Sequence, residues 1–201
     1  MKIITILGSP RKKGNTAAVL AQFEDLLKAD HKVERINITD VKIKGCLGCD
    51  GCYRELDEPG CKRHDDGADV LTRLLAADVV VYASPVYCWG FTAQMKALID
   101  RHYCLVKWQD GQVVSALFKG KPALLLVTCG GSTENNADLV FPMFDRQMDY
   151  LGGRVLGKYA VDNCTTPAEL GERGASIAQQ MAADLLAAIS PTQAVSKLKQ
   201  G

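Results

Sequence analysis

The chain has 201 residues, with 24 lysines and arginines against 23 aspartates and glutamates, for a net charge of +1. At roughly 100 to 200 residues per domain, that length fits a single domain over 1–201 with a large core of its own. The balanced charge excludes the broad field that draws in nucleic acid or an anionic membrane, so the expected partner is a small molecule.

From the N-terminus, MKIITILGSPRKKGNT has neither the long apolar stretch nor the small-residue cleavage site of a secretory leader. No later apolar run approaches the roughly 18 residues of a spanning helix, and a cytoplasmic protein is expected. The run KIITIL (2–7) reads as a first strand, followed by a helix with Val19, Phe23, Leu26 and Leu27 as its apolar stripe. Between them lie Gly8, Ser9, Arg11, Gly14, Asn15 and Thr16. A phosphate dianion needs converging donors. Free N–H groups at a helix start, the helix dipole, the Ser9 and Thr16 hydroxyls and the Arg11 guanidinium provide them. A Walker loop carries Lys where Asn15 stands, and four residues between its glycines where five separate Gly8 from Gly14. The dinucleotide pattern G-x-G-x-x-G is absent, and Gly8 stands where a phosphatase loop opens on cysteine. The plain alternative is a solvated Gly/Lys turn.

A second strand, HKVERINI (31–38), leads into GCLGCDGCYRELDEPGC, which places Cys46, Cys49, Cys52 and Cys61 in one insertion of about 45–66. In a reducing compartment, cysteines packed this tightly read as metal ligands or redox groups rather than as a disulfide framework. Three thiols at C-x-x-C-x-x-C spacing with a fourth further on match the way ferredoxin-type chains wrap a [4Fe–4S] cluster. Zinc on three of them with His64, and free or disulfide-forming thiols, stay open as alternatives. RHDD (63–66) precedes a helical segment, with Asp65 or Asp66 as its N-cap.

The runs ADVVVYAS (77–84), KPALLLVTC (121–129) and RVLGKYAV (154–161) complete five strands. Helical stripes fall between and after them at Phe91, Met95 and Leu98, and at Ile177, Met181 and Leu185. The region 100–120, with an Asp110-Gly111 turn signal, reads as a small hairpin or an interface arm. Cys104, Cys129 and Cys164 carry no spacing signal and read as small buried hydrophobes. His31 and His102 read as surface or helix-end residues, and 190–201 as a loose polar tail. Near-continuous apolar runs such as DVVVY and ALLLV fit parallel strands covered on both faces. The expected fold is therefore α/β, a doubly wound five-stranded parallel sheet in the order 2-1-3-4-5, with ligands beyond the strand carboxyl ends.

GSPRKKGNT, SPVYCWGFTAQMKALIDR and TCGGS, in that order, resemble the flavodoxin-like NAD(P)H-dependent FMN reductase family, and the cysteine stretch resembles its iron-sulfur flavoprotein branch. The resemblance covers roughly 2 to 165 and implies a flavodoxin-like three-layer sandwich with bound FMN. It implies flavin contacts from Ser9, Arg11, Gly14, Asn15 and Thr16, from Pro85, Val86, Tyr87, Cys88 and Trp89, and from Thr128, Gly130 and Gly131. Cys46, Cys49, Cys52 and Cys61 correspond to the cluster ligands, although the branch has a shorter last gap than the eight residues between Cys52 and Cys61. The implied activity passes electrons through FMN from NAD(P)H or ferredoxin to an acceptor such as a quinone. The cofactor carries the chemistry, so no side chain is required as acid or base. Homodimers or homotetramers are implied as well. On the residues alone, Tyr87 and Trp89 also fit a core or subunit contact, and TCGGS a plain turn. A cluster-free FMN or quinone reductase and an electron carrier with structural zinc are the competing expectations.

Overall fold

The computed structural model describes residues 1–189, so the tail expected over 190–201 lies outside the described residues. In chain order the elements are β1 (Lys2–Leu7), α1 (Asn15–Leu27), β2 (Lys32–Asn37), α2 (Gly67–Leu75), β3 (Val79–Pro85), α3 (Ala93–Arg101), β4 (Val106–Gln109), β5 (Gln112–Ala116), β6 (Pro122–Thr128), α4 (Val140–Leu151), β7 (Arg154–Val161) and α5 (Gly171–Ile189). Five strands form one sheet in the order β2-β1-β3-β6-β7, and every pairing in it is parallel. Counted by sheet strands alone this is 2-1-3-4-5, the expected flavodoxin-like order. Among the described residues, no helix is long and apolar enough to cross a membrane.

The central strands lack polar alternation because both faces are covered. Val79 to Ser84 of β3 and Ala123 to Thr128 of β6 are buried throughout. On one face Ile3, Leu7, Val81 and Leu124 pack against Val19, Leu20 and Phe23 of α1 and against Ala178, Met181 and Leu185 of α5. On the other, Ile4, Ile6, Tyr82 and Leu125 pack against Val70, Leu71 and Leu74 of α2, Met95 and Leu98 of α3, and Phe144 and Met148 of α4. These two cores make a three-layer sandwich. Leu26, expected on the α1 stripe, is 49% exposed, because the helix buries Phe23 and Leu27 and turns the position between them outward.

The ambiguous region 100–120 resolves into the β4–β5 hairpin. Asp110 (φ 51°) and Gly111 (φ 75°) are both left-handed, as a two-residue hairpin turn matching strand twist requires. His102 caps the C-terminal end of α3 as a helix-end residue, but it is buried rather than at the surface. Its Nδ1 pairs with Gln147 Nε2 at 2.7 Å, and burial pushes its pKa down to about 3, so it stays neutral.

The loop after β1 is fastened to the start of α3. The Gly8 N–H donates to Ala83 O at 2.7 Å, and Thr92 Oγ1 donates to Gly8 O at 2.6 Å while accepting the Met95 N–H at 3.2 Å as the α3 N-cap. A Cβ on Gly8 would sit 2.7 Å from Met95 Cε, 3.0 Å from Met95 Cβ and 3.2 Å from Ala83 O. Gly8→Ala is expected to lower unfolding free energy by about 1–3 kcal/mol through overpacking, read from urea denaturation. An unchanged midpoint would mean that this corner has room that the packing denies.

Candidate functional site

Three loops converge at the carboxyl ends of β1, β3 and β6 around a cleft of ≈ 300 Å³. Ser9, Arg11, Gly14, Asn15 and Thr16 line it from the first loop, Pro85, Val86 and Tyr87 from the second, and Thr128 and Gly130 from the third. Gly14 stands at the N-cap of α1 and no side chain caps that end, while the first turn contains no acidic residue. The first N–H groups of the helix therefore keep their donor capacity and the positive end of the dipole is not offset. Among the described residues the Arg11 side chain has no ion-pair or hydrogen-bond partner, unlike Lys12, which pairs with Asp40. The Ser9 hydroxyl orders the turn by accepting from Arg11 N at 3.1 Å.

Asn15 Nδ2 donates to Cys164 O at 2.9 Å, whereas Asn15 Oδ1 is buried with no protein partner. A buried polar atom left unpaired costs free energy, so this oxygen calls for a donor from a bound molecule. Thr16, expected to offer its hydroxyl to a ligand, is buried and shares a 2.7 Å hydrogen bond with Thr128 Oγ1. That bond joins the first and third loops across the cleft floor.

Three lining residues were missing from the sequence expectation, namely Cys129, Cys164 and Thr165. Cys164 and Thr165 arrive because the chain after β7 folds back over the third loop, with Asn163 N donating to Gly131 O at 2.9 Å and Cys164 N to Cys129 O at 3.0 Å. Those are backbone bonds and leave no residue-type signal. Cys88, Trp89 and Gly131 instead line an adjoining open cavity of ≈ 580 Å³, together with Ser132, Glu134, Asn135 and Asn136. The two cavities form a continuous rim along the second and third loops.

The second loop is pinned by Val86 N donating to Thr128 O at 2.8 Å and closed by reciprocal bonds between Tyr87 and Gly90. Its two central residues, Cys88 (φ 46°) and Trp89 (φ 60°), are both left-handed. Such backbone is costly for residues with side chains and gathers at functional loops. Trp89 is 61% exposed, and its Nε1 donates to Asn135 O at 3.3 Å, where Asn135 is itself left-handed.

The four clustered cysteines line a second cavity, of ≈ 80 Å³, with Leu47, Asp50, Lys62, Arg63, Arg101, Tyr103 and Cys104. All four are free thiols, Cys46 and Cys49 exposed and Cys52 buried. His64 does not line this cavity. Among the described residues no three His, Cys, Asp or Glu side chains are gathered closely enough to hold a metal ion. The donor set fits an iron–sulfur group in kind, four thiols opening on one space, and would have to close around it.

The eight-residue gap before Cys61 is turned back by Gly60 (φ 61°) and bridged by Lys107, whose ammonium donates to Cys52 O at 2.9 Å and Pro59 O at 3.0 Å. Asp66 occupies the N-cap position of α2 but makes no side-chain cap; its carboxylate accepts Lys42 N at 2.7 Å. Asp65 accepts Lys44 N and Gly67 N, both at 2.9 Å, and pairs with Arg101 at 2.8 Å. Both acids therefore anchor the cysteine segment, and Asp65 also accepts the first N–H of α2. Desolvation raises the Cys52 pKa, and nearby Lys107 works in the opposite direction.

The cysteine cavity and the strand-end cleft share no lining residue. They stand at opposite ends of α3, with Thr92 bonded to the first loop at its start and Arg101 on the cysteine cavity at its finish. Nine residues at a 1.5 Å rise separate those ends by about 13 Å.

The family profile described as NADPH-dependent FMN reductase matches residues 1–166. The chain belongs to this family. An iron-sulfur flavoprotein of Archaeoglobus fulgidus is 45% identical over a match covering 50% of this chain and 45% of that protein. An iron-sulfur flavoprotein of Methanocaldococcus jannaschii is 35% identical, covering 50% and 51%. The chain thus matches about half the length of these curated relatives. An NAD(P)H-dependent FMN reductase of Saccharomyces cerevisiae is 27% identical over 76% of this chain and 78% of its own. Among solved structures, an FMN-dependent NADH-azoreductase of Bacillus anthracis in complex with FMN superposes with a TM-score of 0.68 at 16% identity, covering 92% of this chain and 98% of that one. At that identity the likeness establishes the shared fold.

Burial, with Asp162 and Cys164 nearby, pushes the Cys129 thiol up to about 11 from 9.0. The folded chain holds this proton more tightly than the unfolded chain does. Its contribution to stability is complete below about pH 9 and is lost as pH rises toward 11. Urea midpoints are expected to fall across that window, and Cys129→Ala to remove part of the fall; an identical fall in both proteins would clear this thiol of any role.

Proposed function

We propose that this protein is an FMN-dependent oxidoreductase that takes electrons from NAD(P)H or ferredoxin and passes them to an acceptor such as a quinone, with an iron–sulfur cluster on Cys46, Cys49, Cys52 and Cys61. The observation that carries the reading is the open α1 end beside an unpaired Arg11 and an unsatisfied Asn15 Oδ1, in a cleft rimmed by three strand-end loops. Family membership over residues 1–166 supports the choice of cofactor.

The chain's own residues divide the work. The N–H groups at the start of α1, with Ser9 and Arg11, hold the phosphate, and Asn15 Oδ1 accepts from a hydroxyl of the sugar-alcohol chain. Pro85, Val86 and Tyr87 face Thr128 and Gly130 across the cleft and border the ring, with Cys88, Trp89 and Gly131 at its outer edge. Bound there, FMN supplies the hydride and one-electron chemistry that protein side chains lack. The left-handed Cys88–Trp89 turn keeps the Trp89 indole at the open side, where an incoming nicotinamide or quinone can stack on it. Four thiols on one cavity favour the cluster over zinc held with His64, which stands outside that cavity. The same reading includes assembly as a homodimer or homotetramer.

Full-length protein purified without oxygen is expected to be yellow-brown and to oxidise NAD(P)H when a quinone is supplied. Arg11→Ala removes a charge-assisted bond worth about 1.5–3 kcal/mol, so FMN affinity is expected to fall about 10- to 100-fold by quenching of flavin fluorescence. Wild-type protein that is free of flavin as purified and also leaves added FMN fluorescence unchanged would end this reading.

A further inference from the structure

Arg101 and Lys107 are the two most deeply buried cations of the described chain, at 1% and 0% exposure, and both bear on the cysteine segment. Arg101 Nη1 donates to Asp65 Oδ1 at 2.9 Å, to Oδ2 at 2.8 Å and to Lys44 O at 3.1 Å. Its Nε and Nη2 are buried without an oxygen or nitrogen partner, and the Cys61 thiol lies beside the guanidinium in the cysteine cavity that it lines. The guanidinium lies against Gly67, where a Cβ would come within 2.9 Å of Cζ, Nη1 and Nη2. Only a glycine leaves room for it there.

Lys107 differs in making no ion pair among the described residues, with Glu55 acting on it only at longer range. Its ammonium is satisfied by two carbonyl oxygens at the ends of the gap from Cys52 to Cys61. Burying a charge without a counter-charge is unfavourable even after relaxation. Asp65 pairs with Arg101, whereas Lys107 touches only carbonyl oxygens and burial pulls its pKa down, so a negative group beside it would favour its charged form. The cavity is walled by cysteine sulfur and lined by Lys62, Arg63 and Arg101 against the single acid Asp50, with Lys107 behind it on Cys52 O, a set that fits an anionic occupant.

We propose that Arg101 and Lys107 are positioning residues that act as buried counter-cations to an anionic iron–sulfur group on Cys46, Cys49, Cys52 and Cys61, favouring its reduced form. The inference rests on the cluster reading of the preceding subsection. When one electron passes from reduced FMN to the cluster, no bond forms or breaks, and one negative charge is added to a group that is already anionic. Fixed positive charge next to it makes that addition more favourable, since net charge and hydrogen bonds to sulfur set such potentials. The clamp on Cys52 O and Pro59 O also delivers Cys61 to the cavity despite the long gap.

The test uses full-length protein reconstituted with iron and sulfide under argon, with iron, acid-labile sulfide and FMN assayed before the cluster is titrated with dithionite. Lys107→Met removes the charge together with the clamp on Cys52 O and Pro59 O, so it is read in the cluster-loaded fraction, normalised to iron and sulfide, where the equilibrium constant for one-electron reduction is expected to fall about tenfold, ~59 mV toward more negative potential. Gly67→Ala keeps every charge but displaces the guanidinium, and a fall in the same direction is expected. Arg101→Lys, which keeps the charge and loses the fork, should fall less than Gly67→Ala. Unchanged potentials in Lys107→Met and Gly67→Ala at full iron content overturn the proposal. If Lys107→Met does not fold, Gly67→Ala decides alone by the same criterion. A wild-type chain that takes up zinc or no metal at all fails earlier, at the cluster reading, and overturns this inference with it.

Discussion

The parallel sense of all five sheet strands is the constraint from which the rest of the molecule follows. Parallel neighbours cannot be joined by tight turns, so each connection must cross a face of the sheet, and the helices that do so bury β3 and β6 on both sides. Every strand then ends at the same edge. Around β1, where the chain reverses its direction of winding, the loops after β1, β3 and β6 have no covering helix directly above them, and the cleft opens there. Short backbone bonds between loops, Gly8 to Ala83 and Val86 to Thr128, hold that edge rigid. A cofactor site built this way needs few committed side chains.

Those features were the most legible from sequence. Runs such as VVVY and ALLLV announce strands buried on both faces, and Gly8 to Thr16 announces a helix start open to an anion. What escaped notice depends on contacts between segments distant in the chain. Cys164 reaches the cleft through main-chain bonds that any residue could make. Arg101 and Lys107 carry no signal in the local pattern, yet both are buried. Their burial becomes visible only when the cysteine segment is seen draped along α3. His102 and Asp66 do stand at helix ends, and what local capping rules cannot foresee is the second segment that arrives as their partner.

The cysteine segment packs Cys52, Tyr53 and Cys61 against the core, and its position is set further by charge and hydrogen bonds from three other elements. Asp65 and Asp66 pin its approach through Lys44 and Lys42, Arg101 of α3 reaches Lys44 O, and Lys107 of β4 closes the final gap. Cys46 and Cys49 stay exposed at its tip while Cys52 is buried at its root. A segment anchored at both ends and open in the middle can close on a group built in place. The longer gap before Cys61 is thereby accommodated through the hairpin, a part of the chain that carries no sulfur ligand.

Lys107 belongs to the β4–β5 hairpin but spends both of its bonds on carbonyls of the cysteine segment. The two pieces are thus coupled mechanically, though about fifty residues of sequence lie between them. Fluctuations that peel the hairpin from the body must also release the Cys52–Cys61 bend, so amide protons in both should exchange with solvent as one cooperative unit. Whatever fills the cysteine pocket would then slow proteolytic nicking at the hairpin tip, far from any ligand atom.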